Sequence, residues 1–448
     1  MSSYLFDEFN EVTPKAWKQK IQADLKGLDY NETLLWHTDE GITVKPFYTK
    51  EDQTNTALNV SKNGFKICQS IFIDDEKVAN QLAIDALKRG ATAIEFTANK
   101  SFDYKTTLKN IDVAFTKIYF NFNFLSADFT TEIAAFTNSK NCYYNVDIIG
   151  NLAKTGNWFN NLNEDHKQLE KIVATVTNSL AVNVSIYQNT GANIVQQLAY
   201  ALAHANEYLN HFGKDVAEKI YFKFSVGTNY FFEIAKLRAF RVLWASLLKE
   251  YDTTAQAHIF TQPSLRNKTL YDYNVNMLRT TSESMSAILG GSDTVSNNSY
   301  DSIYHKSNEF GERISRNQLL ILQQESELSE AQNIADGTYY IESITEQLAE
   351  RALEIFKLIE NGGGFLKQLK EGIIQKKIKE SADKEQAKFD AGELVLLGTN
   401  KIKNEEDKMK NDLELFPFVK KRSEKTLIQP LIQKRLAENL EQERLKDE

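Results

Sequence analysis

The 448 residues are 42% hydrophobic and 11% aromatic, enough for a large core in one big domain or in two to three ordinary ones. With 53 basic against 61 acidic side chains the net charge is −8, a poor balance for binding nucleic acid or an anionic membrane. Cys68 and Cys142 lie far apart and make no zinc or disulfide framework, no apolar run reaches the ~18–20 residues of a membrane span, and MSSYLFDEFNE is not a signal peptide, so a soluble, cytoplasmic chain is expected.

Residues 1–40 contain TPKAWKQKIQADLKG, which opens at Thr13-Pro14 as helices do. Trp17, Ile21 and Leu25 sit four apart and form a narrow apolar stripe, as in an arm that needs a surface to lie on. From 66 to 293 the chain alternates short β-rich segments with helical ones. The strand candidates are KICQSIFI (66–73), AIEFTA (93–98), IYFNFNF (118–124), YYNVDIIG (143–150), AVNVSIY (181–187), IYFKFSVG (220–227), QAHIFTQ (256–262) and SAILGGSD (286–293). In the sixth, Ile220, Phe222, Phe224 and Val226 alternate with Tyr221, Lys223 and Ser225, the period of a strand.

Between strands, EKVANQLAIDALKRG places Val78, Leu82 and Ala86 on one helix face with Ala79 and Ala83 beside them, and ends at Gly90. EIAKLRAFRVLWASLLKE aligns Ile234, Leu237, Phe240, Trp244 and Leu247. Eight strands separated by helices predict a (β/α)8 TIM barrel over 41–365, with a doubly wound open sheet as the alternative. Residues 366–448 are rich in charge and read as a helical linker and tail, the last ten residues solvated.

Short motifs are mostly absent: there is no GxGxxG, GxxxxGK[ST], HExxH or GxSxG, and Gly362–Gly364 read as a helix end. His204 and His211, seven apart on one helix, read as packing or surface residues. Glu95, Asp147 and Asp293 are the acidic residues expected near strand C-termini, where barrel sites form. No spacing pairs them with a base, so spacing alone names no reaction.

Two long stretches supply more. VGTNYFFEIAKLRAFRVLWASLL (226–248) and the segment from NVNMLRTTSESMSAILGGSDTVSNNSYD (274–301) through EFGERISRNQLLILQQESELSEAQNIADGTYYIESIT (309–345) resemble the adenosylcobalamin-dependent acyl-CoA mutases, specifically methylmalonyl-CoA mutase. GITVKPFYTKED (41–52) and GANIVQQLAYALAHANEYL (191–209) are more weakly similar. The resemblance implies the barrel, which is that family's substrate domain.

The departures from the family pattern shape the expectation. Catalytic members carry D-x-H-x-x-G in a cobalamin domain, its histidine ligating cobalt. Here Leu35, Glu164, Leu202, Leu209, Gln256 and Ile303 stand two before the six histidines, and no cobalamin-binding domain is expected. A tyrosine-histidine pair follows strand five in the family. Here Tyr187 is kept and Gln188 replaces the histidine, a residue that hydrogen-bonds but does not titrate. By alignment Phe260 stands where the family has a substrate-binding arginine after strand seven. The family's tyrosine-bearing segment between KPxY and strand one finds no room between Tyr48 and Lys66.

The resemblance therefore implies a small, non-catalytic subunit that binds no cofactor itself and pairs with a large subunit holding adenosylcobalamin. That complex interconverts (R)-methylmalonyl-CoA and succinyl-CoA. Trp17, Ile21 and Leu25 are the candidate contact with the partner, the alternative being that their helix packs on its own barrel. The alternatives are an active acyl-CoA mutase barrel served by a separately encoded cobalamin domain, and a module that docks a GTPase chaperone.

Overall fold

Eight parallel strands run in chain order: β1 (Lys66–Phe72), β2 (Ala93–Ala98), β3 (Lys117–Phe122), β4 (Cys142–Asn145), β5 (Leu180–Asn183), β6 (Ile220–Val226), β7 (His258–Pro263) and β8 (Thr294–Ser296). The computed structural model describes residues 8–53, 58, 64–330, 333–420 and 424–448. Much of the stretch between Tyr48 and Lys66, where the family's tyrosine-bearing segment is expected to find no room, lies outside them. Sheet order is β4-β3-β2-β1-β8-β7-β6-β5. The two end strands meet through Tyr144 N–H to Asn178 O (2.9 Å) and Ala181 N–H to Val146 O (3.3 Å). The sheet curls into a nearly closed barrel ringed by helices, as expected.

Seven strands overlap their predicted positions, although the fourth and fifth end earlier than predicted because Ile148–Thr155 and Ser185–Thr190 are helices. The eighth does not. Ser286–Leu289, expected as strand, is the end of the helix Val275–Leu289. Gly290 and Gly291 stop that helix, and the β-branched Thr294 and Val295 then pair with Lys66 and Ile67 on one side and with Phe260 and Thr261 on the other.

Outward strand residues such as Phe222 and Phe224 pack on the helix Tyr230–Glu250, where Ile234, Leu237, Phe240, Trp244 and Leu247 are all buried as predicted. The helices Ile194–Phe212 and Tyr230–Glu250 are apolar on most sides because Tyr339–Asn361 covers them from outside. In the helix Glu76–Lys88 the core face is Ala79, Ala83 and Ala86, while Val78 and Leu82 are 53% and 49% exposed. Alanines let the helix lie close to the strands, so the core takes the small residues rather than the larger ones.

The described residues of the tail, 404–420 and 424–448, form a strap across the C-terminal ends of the strands. Leu431 N–H donates to Ala153 O (2.8 Å) after β4, and Lys434 N–H to Asn189 O (3.2 Å) after β5. Leu436 N–H donates to Arg266 O (2.9 Å) after β7, and Leu415 N–H to Tyr304 O (2.8 Å) after β8. The closing helix Glu438–Asp447 buries Glu438 and Glu441, so the tail is packed rather than frayed, although most of the last ten residues keep contact with water. Its carboxylates are consumed internally: Glu441 pairs with Arg435 (2.7 Å) and accepts from Leu270 N–H (2.7 Å). A charged composition here records buried pairing rather than solvation.

At the other end, the helix Pro14–Asp24 is capped by Thr13 and buries none of its residues. Trp17 is 45% exposed and stacks on Phe47 at 4.1 Å; Ile21 and Leu25 are half-buried. No helix among the described residues is long and apolar enough to cross a membrane.

Candidate functional site

The inward-facing residues decide what the barrel can admit. Cys68, Ala93, Tyr119, Ala181, Tyr221 and Phe260 form a packed middle layer. The Tyr119 ring stacks on Tyr143 at 4.8 Å and meets the edge of Phe260 at 4.9 Å. Towards the N-terminal ends of the strands, Tyr143 stacks on His258 at 4.4 Å. The Tyr119 hydroxyl lies 2.7 Å from both His258 Nε2 and Thr294 Oγ1. Burial pushes the His258 imidazole down to about 3, with Asp293 opposing and Lys117 and Arg241 adding to the shift. His258 is therefore neutral at pH 7.

Above the aromatic layer, towards the C-terminal mouth, Lys223 pairs with Glu95 across the barrel, both nearly buried. Ser70 Oγ donates to Glu95 Oε2 (2.9 Å) and lies 3.1 Å from Ser296 Oγ. The Lys223 ammonium sits 4.8 Å from the centre of the Phe260 ring, a cation–π contact. A shallow polar rim follows, where Asn145 Nδ2 donates to Asn121 Oδ1 (2.8 Å) and Ser70 reaches solvent. Rings and one ion pair thus fill the cross-section, as in a barrel core rather than a pore.

The sequence-predicted site residues separate in space. Phe260 lies inside β7, facing the axis, not in a loop beyond it. Tyr187 and Gln188 occupy the short helix Ser185–Thr190 and point apart. Tyr187 is fully buried, its hydroxyl 2.9 Å from His204 Nδ1. His204 Nε2 lies 2.9 Å from Asp147 Oδ1, which also accepts from Tyr208 OH (2.9 Å) and Gly150 N–H (2.7 Å). Burial works to raise the Asp147 carboxyl, but His204 and the N–H donors bring it below the usual carboxylate range. This enclosed chain ties β4 and β5 to the helix Ile194–Phe212 and faces no solvent. His204 is thus a packing residue, as expected; His211 is exposed, near Glu170.

Gln188 Oε1 accepts from Ser264 Oγ (2.9 Å) and lines a cleft of about 240 Å³ beneath the helix Ile373–Asp390. The cleft also presents Glu40, Asn193, Asn229 and Glu233. Burial raises the Glu40 carboxyl, with Asp39 and Glu233 adding to it. It can hold hydrogen-bonding groups, but its lining has no histidine to exchange protons near neutral pH.

Of the three acidic candidates, Glu95 is mid-strand inside the barrel and Asp147 caps the helix Ile148–Thr155. Asp293 precedes β8 at the opposite, N-terminal mouth, because the eighth strand starts later than predicted. There it binds Arg241 at 3.0 Å. Residues that carry the resemblance join helices to one another. Lys268 and Asn267 bind Glu283 (2.8 and 2.5 Å), and Gln318 Nε2 donates to Thr280 and Thr281 Oγ1 (3.0 and 2.6 Å). Among the described residues no cluster of three or more His, Cys, Asp or Glu side chains could hold a metal ion.

The family model described as methylmalonyl-CoA mutase matches residues 103–446. The chain belongs to the methylmalonyl-CoA mutase family. It is 33% identical over 442 residues to the methylmalonyl-CoA mutase small subunit of Porphyromonas gingivalis, covering 89% of this chain and 71% of that protein. It is 28% identical over 457 residues to the methylmalonyl-CoA mutase of Cereibacter sphaeroides, covering 87% of this chain and 64% of that one. The Rhizobium meliloti mutase is 35% identical over 243 residues, 51% of this chain and 34% of that protein. Against these mutases the chain spans 71%, 64% and 34% of the relatives' length.

Proposed function

We propose that this chain is the supporting small subunit of a methylmalonyl-CoA mutase and does not itself catalyse turnover. The observation that carries this reading is the filled barrel axis. Tyr119, Tyr143, Tyr221, Phe260 and His258 pack across it, and the Glu95–Lys223 pair closes it from above. A thioester substrate reaching the strand ends finds no apolar slot through the barrel and no proton donor, since Gln188 is fixed by Ser264. The small-subunit name of the Porphyromonas gingivalis relative supports the same reading.

The residues present do not suit adenosylcobalamin. His204 is buried, His258 is largely enclosed and bonded to Tyr119, and His305 is held between Asp301 (3.2 Å) and Asp412 (3.3 Å). His37 lies in the short antiparallel pair of Trp36–His37 with Thr43–Val44, and His166 and His211 lie on the outer helices Leu162–Thr175 and Ile194–Phe212. The strap covers much of the C-terminal mouth, where such a cofactor would face the barrel. In this reading the large subunit holds cofactor and substrate, and no step is assigned to this chain. Its contribution is rigidity: a solid barrel braced against the catalytic one keeps reactive intermediates away from water.

Trp17, Ile21 and Leu25 supply the contact in this account, because the helix that carries them buries nothing in the isolated chain. Size-exclusion chromatography of this chain with its cognate large subunit tests the pairing. A 1:1 complex is expected. Separate elution of the two chains at micromolar concentration contradicts it.

A further inference from the structure

The strap creates a cleft that the mutase reading does not use. Between it and the loops after β4, β5, β7 and β8 lies a space of about 370 Å³, within the usual range for small-molecule sites. Its apolar lining is Phe416 and Phe418, packed edge to face at 5.5 Å, together with Leu431, Ile432, Leu265 and Ile303. Phe416 is 60% and Ile432 48% exposed, so apolar surface is left open to water.

The polar lining is positively charged, and its charges are unevenly spent. Arg266 is held by Glu385 (2.5 Å) and Lys434 O (2.9 Å). Arg435 is held by Glu441 (2.7 Å), Lys268 O (3.0 Å) and Pro417 O (3.1 Å). Glu438, the one carboxylate in the lining, accepts from Arg435 N–H (2.9 Å) and Val419 N–H (3.1 Å), one oxygen each. Lys420 and Lys434 line the same space, and among the described residues no carboxylate pairs with either ammonium. Apolar walls with unneutralised ammonium groups at the rim match one kind of ligand: an apolar body ending in an anionic group.

We propose that this cleft binds a small amphipathic organic anion, of the size and chemistry of a medium-chain carboxylate. The carboxylate is held by Lys420 and Lys434, and the chain lies between Phe416 and Ile432. The position, at the C-terminal ends of the strands, is where barrel scaffolds assemble ligand sites from their loops. Here a strap from the same chain supplies one side.

Calorimetric titration of the full chain with octanoate, below its micellar concentration, tests this. Acetate and octylammonium serve as the head without a tail and the tail with the wrong charge. Octanoate is expected to bind one to one, and both controls to give no saturable heat. The Lys420→Gln/Lys434→Gln variant, altered at surface positions and checked for an unchanged melting curve, is expected to bind at least about tenfold more weakly. Ile432→Ser is expected to weaken octanoate similarly. Absence of octanoate binding, undiminished binding by the double lysine variant, or equal binding of octylammonium would each overturn the proposal.

Discussion

Replacing Lys223 with methionine keeps the side-chain stem over Phe260 and removes the ammonium. The Glu95 carboxylate, 4% exposed, then has the Ser70 hydroxyl but no cation. Stranding one member of a buried pair costs about 3–5 kcal/mol. Because Ser70 still donates to the carboxylate, the lower end applies, about 3 kcal/mol. Replacing both partners, Lys223→Met with Glu95→Leu, leaves no buried charge and is expected to lie within about 1 kcal/mol of the parent. With the Glu95→Leu single variant this completes a double-mutant cycle, whose coupling energy should exceed about 2 kcal/mol. Equilibrium urea unfolding, followed by tryptophan fluorescence, measures all four proteins. In a hydrated channel the same pair contributes only about 0–1 kcal/mol. A loss below about 1 kcal/mol for Lys223→Met, with coupling within about 0.5 kcal/mol of zero, refutes the solid-barrel argument.

His258 resists protonation in the fold, with a value pushed to about 3, against 6.5 for an unburied imidazole. As pH falls from 6.5 the unfolded chain takes a proton that the folded chain refuses, so stability declines. Urea midpoints of the parent and His258→Gln should therefore converge between pH 7 and pH 4, and parallel profiles would exclude this role. His305 behaves oppositely. Although partial burial lowers it, Asp301 and Asp412 raise it overall, so it strengthens the strap below its unfolded value and loses that effect as pH rises through its folded one. Proteolysis near Asp412 should accelerate from pH 6.5 to pH 8 in the parent, and show no such rise in His305→Gln. Trp17→Ala should weaken pairing with the large subunit by about tenfold or more. It should leave the melting temperature of the isolated chain unchanged, because Trp17 stacks on Phe47 in a helix that buries none of its residues; a shifted melting curve with intact pairing would place the residue in the barrel's own stability instead.

Seven strands were legible because each is a short β-rich run bounded by helical or turn segments, with period-two alternation clearest in Ile220–Val226. The eighth slipped because SAIL is apolar enough to pass for strand, while the true strand has only three residues. Val78 and Leu82 were placed inward by periodicity, yet close packing favoured the alanines beside them. The tail looked solvated because composition does not reveal that Arg435 and Glu441 meet in the interior. At the site, Gln188 and Phe260 were legible only through the family resemblance, and the structure separates them. Glu95 was flagged, but its partner Lys223 stands 128 residues away and carries no spacing signal. The stacking of Tyr143 on His258 is invisible for the same reason: it exists only once β4 and β7 face each other across the closed barrel.

The direct test of a supporting, non-catalytic barrel is a turnover measurement. Purified chain, adenosylcobalamin and (R)-methylmalonyl-CoA are combined with and without the cognate large subunit, and succinyl-CoA is followed over time. The account predicts no product from this chain alone and turnover once the large subunit is present. Succinyl-CoA formed by this chain without a large subunit would contradict it.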